Sequence, residues 1–259
     1  MAKSGKQAGA RIALVTGGAV GIGSAICERL AADGMRVLVA DIDAEKAHAT
    51  ARRIVEAHRS AQALELDVGS ADSIRRAFER VAAEFGRCDV LVNNAGIAKT
   101  FPFIDFPLDN WLATLNVNVT GAMLCGQHAA RLMLRHRFGR IVNIASVAGM
   151  RAVGGGRTAY GTSKAALIGL TRQMAAELGE HGLTVNAIAP GPVDTPLTRV
   201  LHSQASRQAY KDAIPAGRYG LASEIADAVA FLASEHAAYV NGAVLPVDGG
   251  FLATGARGV

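Results

Sequence analysis

The chain is poor in cysteine: three among 259 residues, Cys27, Cys88 and Cys125, far apart and each in apolar, periodic surroundings. That pattern excludes a disulfide scaffold and lacks the paired spacing of a zinc site, so reduced core thiols and no metal are expected. No apolar run approaches the roughly 20 residues needed to cross a bilayer. The opening "MAKSGKQAGA" is small and polar, a tail over residues 1–10 rather than a secretion signal. A soluble cytoplasmic protein with no membrane partner is the expectation. Linkers, repeats and low-complexity tracts are also absent, which leaves one domain over 11–259. Nor is there a basic block. The net charge is +5, but the densest basic stretch, "RLMLRHRFGR" at 131–140, is interleaved with apolar residues and ends near Gly139. Cations favour the C-terminal end of a helix, so no nucleic-acid partner is expected.

What the chain does have is alternation. Short β-branched runs at 11–18, 36–41, 63–68, 88–96, 140–146 and 183–190 alternate with alanine-rich stretches at 25–34, 44–58, 71–86, about 108–136 and about 159–180. Strands apolar on both faces that alternate with helices predict an α/β fold: a single-domain, doubly wound parallel sheet of about seven strands with helices on both faces. A last strand at 243–250 contains Pro246, which cannot donate to a ladder and belongs at a sheet edge. The stretch from Pro190 to about Ala222 shows no clear period and is expected to form a substrate lid.

Immediately after the first strand stands "TGGAVGIG", Thr16 to Gly23. Gly17, Gly21 and Gly23, with Val20 and Ile22 between them, give a tight turn, close approach of backbone N–H groups to phosphate oxygens, and contact between helix and sheet. Placement between the first strand and the first helix points to a dinucleotide. Asp41 ends the second strand, where an acid bonds the adenosine ribose hydroxyls and repels a 2′-phosphate. Its alternative is a helix cap, which Asp43 fills equally well. Val20 occupies the place where a basic residue would meet that phosphate. NAD is therefore expected in preference to NADP.

Tyr160 and Lys164, in "TAYGTSK" at 158–164, lie four positions apart and share one helix face. With these residues in place, the sequence from about Ile12 to Gly250 resembles the short-chain dehydrogenase/reductase family. The resemblance rests on an ordered set: the glycine turn, Asp67 with Val68, "NNAG" at 93–96, Asn118 in "NVTG", Ser146 in "IVNIAS", Tyr160 with Lys164, and "PGPVDT" at 190–195. It implies a Rossmann-type fold, a homo-oligomer (tetramer or dimer), and hydride transfer between a nicotinamide and an alcohol or carbonyl carbon.

An alcohol must lose its proton as the hydride leaves, and Tyr160 can take it. A free phenol has a pKa of about 10, so a cation, Lys164, is needed to stabilise the phenolate. The resemblance further implies that Lys164 holds the nicotinamide ribose, that Ser146 bonds the substrate oxygen, and that Asn118 holds a water linking Lys164 to solvent. It sets Asp67, Val68, Asn94, Ala95 and Gly96 near the adenosine half, and Pro190, Gly191, Val193 and Thr195 beside the carboxamide. Turn and cap roles are the alternatives for Asp67, Asn94 and Ser146.

The sequence departs from the family between serine and tyrosine. "SVAGMRAVGGGRTAY" is about one residue longer than the common spacing and carries Gly154, Gly155 and Gly156 in a row. Arg151 and Arg157 flank these glycines and read as solvated surface arginines, with an anionic or polyhydroxylated substrate as the other role. The lid contributes His202, Tyr210 and Ile214, neither wholly apolar nor strongly charged. The expectation is an NAD(H)-dependent oxidoreductase that interconverts a secondary alcohol or polyol and its ketone. A 3-oxoacyl-thioester reductase is one alternative, and a non-catalytic dinucleotide sensor is another of a different class.

Overall fold

The computed structural model describes residues 10–152 and 154–254, so nearly all of the expected N-terminal tail, residues 1–9, lies outside the described residues. Seven strands form one sheet in the order β3-β2-β1-β4-β5-β6-β7, all paired in parallel. They are β1 (Ile12–Thr16), β2 (Arg36–Asp41), β3 (Ala61–Glu65), β4 (Val90–Asn93), β5 (Gly139–Ile144), β6 (Leu183–Pro190) and β7 (Val244–Val247). β7 is an edge strand, which satisfies the constraint set by Pro246. The order reverses between β1 and β4, and the carboxyl ends of the strands there open the crevice in which such sheets bind ligands.

Alternate strand residues feed two cores, because side chains point to opposite faces with period two. Val15, Val37, Val39, Val92 and Ile188 face α1 (Gly21–Ala32), α2 (Ala44–Glu56) and α9 (Ala222–Ala233), which contribute Ile26, Leu30, Ile54, Ile225 and Val229. Leu14, Leu38, Leu64, Leu91 and Ile141 face α3 (Ala71–Phe85) and α5 (Ala122–Leu134), which contribute Ile74, Phe78, Val81, Cys125 and Met133. All three cysteines are free and buried, and burial pushes each thiol up, Cys125 to about 12. They are core residues.

Three differences from the sequence-based expectation concern the site. First, the helix expected over 108–136 is α4 (Leu108–Leu115) followed by a widened π turn, Asn116–Gly121, and then α5. A π turn loosens the backbone hydrogen bonding of its helix and is common at functional sites. Second, the unpatterned stretch after Pro190 folds into α7 (Pro196–Leu201) and α8 (Gln204–Ala213), held by local caps too short to produce a period. Third, α9 falls where no element was assigned.

A buried polar chain fixes α6 (Thr158–Leu178) on the sheet. Asn93 donates to Asn143 at 2.8 Å, Asn143 to Thr171 at 2.9 Å, and Thr171 to the Leu167 carbonyl at 2.8 Å. Each member is satisfied, so the chain orients the helix without leaving a buried orphan. The same helix carries Tyr160 and Lys164 in its first two turns.

Candidate active site

A cleft of about 450 Å³ lies over the carboxyl ends of β1, β2, β4, β5 and β6. Its floor is the glycine turn. Gly17 and Gly21 take positive φ, +61° and +58°. A Cβ on Gly23 would lie 2.0 Å from the Gly17 carbonyl oxygen, and one on Gly17 would lie 2.9 Å from the Ala95 Cα. At Gly17 and Gly23 no side chain fits, so a ligand there meets backbone. α2, α3 and α8 are capped by Asp43, Ser70 and Ser203, whereas the cap position of α1, Val20, offers no side-chain hydrogen bond. The first N–H groups of α1 are left for an anion. These features fit a dinucleotide pyrophosphate.

The other residues expected to hold the cofactor line the same cleft: Asp41, Asp67, Val68, Asn94, Ala95, Gly96, Pro190, Gly191, Val193 and Thr195, together with Val20 and Ile22. Several also have structural duties. Asp43 caps α2, so Asp41 is not the cap that was its alternative role, and Asp41 accepts instead from the Ala19 and Asp43 N–H groups at 3.1 Å each. Asn94 spends its amide nitrogen on the carbonyls of Thr16 and Gly17, at 3.0 and 2.9 Å, and so braces the glycine turn from below. Asp67 accepts from Gly69 at 2.8 Å in a tight turn. Thr195 forms a reciprocal capping box with Thr198 at the start of α7. The "TPLT" spacing at 195–198 carries that signal, and Thr198, not anticipated, also lines the cleft. So do the apolar Leu66, Ile97 and Val117, for which single-sequence patterning gives no sign.

Ser146, Tyr160 and Lys164 stand at one end of the cleft. Ser146 follows β5, and its hydroxyl accepts from the Ala148 N–H at 3.1 Å, which leaves its own proton to donate. Tyr160 is pushed up from its ordinary value mainly by burial, while the Ser146 hydroxyl and the charge of Arg157 pull it down. Lys164 is 4% exposed, donates to the Ile144 carbonyl at 2.7 Å, and is lowered by burial to about 8. Its Nζ stands 5.7 Å from the centre of the Tyr160 ring. Burial therefore favours the neutral phenol, and a cation near the ring works against that preference.

Asn118, in the π turn, is 1% exposed and lies outside the cleft lining. Its Oδ1 accepts from the Ile97 N–H at 2.8 Å, and its Nδ2 donates to the Ile97 carbonyl and the Ser163 hydroxyl, both at 3.0 Å. A Cβ on Gly96 would touch both Asn118 Oδ1, at 3.2 Å, and Lys164 Nζ, at 3.6 Å. Gly96 is thus the spacer that lets the asparagine and the lysine approach. Arg157 departs from the surface reading: it is half-buried, donates to the Tyr210 hydroxyl at 2.8 Å, and meets His202 Nε2 at 2.9 Å. Its position three residues before Tyr160 is the signal that marks it. Arg151 is exposed, with its guanidinium 5.5 Å from the Phe251 ring centre.

Among the described residues no cluster of His, Cys, Asp or Glu could hold a metal ion, and no helix is long and apolar enough to cross a membrane. A family model described as enoyl-(acyl carrier protein) reductase matches residues 17–252. The chain is 42% identical over 241 residues to the 3-oxoacyl-[acyl-carrier-protein] reductase FabG of Aquifex aeolicus, covering 93% of this chain and 96% of that one. It is 41% identical to a D-threitol dehydrogenase of Mycolicibacterium smegmatis, covering 93% and 92%. A gluconate 5-dehydrogenase from Burkholderia cenocepacia, solved in complex with NADP and tartrate, superposes with a TM-score of 0.91 at 35% identity, covering 95% and 96%. The chain belongs to the short-chain dehydrogenase/reductase family, NAD(P)-dependent oxidoreductases that interconvert alcohols and carbonyl compounds.

Proposed function

We propose that the protein is an NAD(H)-dependent dehydrogenase that interconverts a secondary alcohol or polyol and its ketone. The observation that carries this reading is one continuous cleft, running from the glycine turn and Asp41 to Ser146, Tyr160 and Lys164. Asp41 turns a carboxylate toward the part of the cleft where a 2′-phosphate would sit, and a like charge there costs binding. Ile42 beside it is exposed and uncharged, and Lys46, which feels the charge of Asp41, is paired with Asp43 at 2.6 Å. The Burkholderia neighbour was solved with NADP, which makes the choice of dinucleotide a property to measure on this chain.

A bound oxidised nicotinamide supplies the hydride acceptor and a positive charge. Ser146 donates a hydrogen bond to the substrate oxygen, Tyr160 takes its proton during oxidation and returns it during reduction, and Lys164 favours the phenolate. Asn118 and the π turn connect Lys164 to solvent, and Thr195 fixes the carboxamide side of the cleft. Exposed Phe103, Ile104, Leu108 and Leu112, on and just before α4, support a homo-oligomer.

A second reading, reduction of a 3-oxoacyl thioester, is supported by the likeness to the Aquifex reductase. One panel separates the readings: secondary alcohols, polyols and a 3-oxoacyl thioester, each run with both dinucleotides. The proposal expects higher kcat/KM with NAD on alcohols. Preference for NADPH and the thioester would replace it, and NADH binding without turnover of anything would favour a sensor.

A further inference from the structure

We propose that Arg157 is the anchor for a carboxylate on the substrate, which makes hydroxycarboxylates the substrate class of this site. The inference rests on the alcohol-dehydrogenase reading above and narrows it. Arg157 occupies the N-cap position of α6, without a side-chain cap bond, three residues before Tyr160. Its backbone is pinned through its neighbour. Gly156, at φ +71°, accepts from the Phe101 N–H at 3.1 Å, and a Cβ there would lie 2.6 Å from the Phe101 carbonyl oxygen. Its guanidinium is pinned from the lid side by Tyr210 of α8 and by His202, which follows α7.

Both of those partners are uncharged. Arg157 donates to His202 Nε2, so the imidazole proton must sit on Nδ1, which meets the Tyr219 hydroxyl at 2.8 Å. Burial and the charges of Arg157 and Arg207 hold His202 neutral. Other lid arginines have acidic partners: Arg199 and Arg207 pair with Asp194 at 3.0 Å each, and Arg218 pairs with Glu224 at 2.6 Å. Arg157 forms no ion pair with any described carboxylate. A half-buried guanidinium pays desolvation, and among the described residues no acid offsets it. Two of its N–H groups are used and the rest remain for a ligand, in a planar fork that matches a carboxylate. A single unpaired cation suits a monoanion better than a phosphate dianion. The charge acts in the neighbourhood of the reacting group, since it is one of the influences that lower Tyr160.

The test uses pairs that differ only in charge: hydroxycarboxylates of three to six carbons against their methyl esters, with the full-length enzyme and its preferred dinucleotide. The native enzyme should show a KM about tenfold or more lower for the acid of at least one pair at similar kcat. Arg157→Gln keeps a donor for Tyr210 but loses the charge. It should raise KM for the acids about tenfold and leave the esters and NADH affinity within about twofold, and Arg157→Lys should recover part of the loss. Butanoate, which has no carbinol, should inhibit the native enzyme competitively against the alcohol and fail to inhibit Arg157→Gln.

An equal rise in KM for acids and esters would make Arg157 a lid strut and overturn the proposal. Native turnover of every ester as well as its acid would overturn it without any variant, and would leave the dehydrogenase reading intact. No turnover of any alcohol with either dinucleotide would remove that reading and this one with it.

Discussion

The two halves of the proposed site are made of different material. The half assigned to the dinucleotide is backbone: a glycine turn with no room for a Cβ at Gly23, an uncapped helix start, and residues at strand ends. The half proposed for the substrate carboxylate lies outside the cleft lining and is a side-chain network, in which Arg157, His202, Tyr210 and Tyr219 come from four separate segments. Backbone that must approach a phosphate tolerates few sequences, whereas a network of side chains can be rebuilt to suit a new ligand. A family built this way can keep its cofactor while changing what it oxidises.

Gly23→Ala should break the backbone half most severely. The added methyl meets the Gly17 carbonyl, which has no flexible side chain to move aside. NADH affinity should fall by about 100-fold or more, a loss of ~3 kcal/mol, measured by fluorescence titration. Gly169→Ala is its control: it has open space around it within α6, and should stabilise the fold by up to ~1 kcal/mol. Equal damage at both positions would mean that crowding at the turn is not what matters.

Lys164→Met separates function from stability where the two halves meet. Turnover should fall by ~10²-fold or more, because the phenolate loses its cation. Stability at pH 7 should rise, because a cation lowered from 10.5 to about 8 is an energetic cost that the native state carries until pH rises through that window. After loss of the hydrogen bond to Ile144, the net gain should be on the order of 1 kcal/mol. A lower melting temperature in Lys164→Met would show that the lysine supports the fold.

His202 reports on the side-chain half through pH. Its folded value is lowered from the ordinary 6.5, so the unfolded chain takes up the proton first as pH falls. Stability carried by neutral His202 is complete above about 6.5 and drains below it, until the folded value is passed. The melting temperature should fall between pH 7 and 5, and His202→Gln should flatten part of that decline by an amount worth ~1 kcal/mol. The remainder belongs in part to His128, lowered by burial and Arg131. An unchanged slope in His202→Gln would mean that the Arg157 contact does not depend on the neutral ring.

The same contrast explains what the amino-acid pattern makes legible. The sheet, the glycine turn and Asp41 are readable because strand alternation and glycine spacing are local. The π turn is not: the poor helix formers of Asn116–Gly121 mark a weak stretch of helix but not its widening, which centres on Asn118 and its bonds to Ile97 and Ser163. Arg157 reads as solvated because its partners lie 45 and 53 residues away in segments without a period. Asn94 reads as a ligand contact or a turn residue, yet its amide braces the turn that faces the ligand.

Tyr160→Phe tests the central claim most directly, because it removes one oxygen and nothing else. NADH affinity should stay within about twofold of native, while turnover of the best alcohol falls by ~10³-fold or more across pH 6–10. Near-native turnover in Tyr160→Phe would contradict the account and require another group to carry the proton.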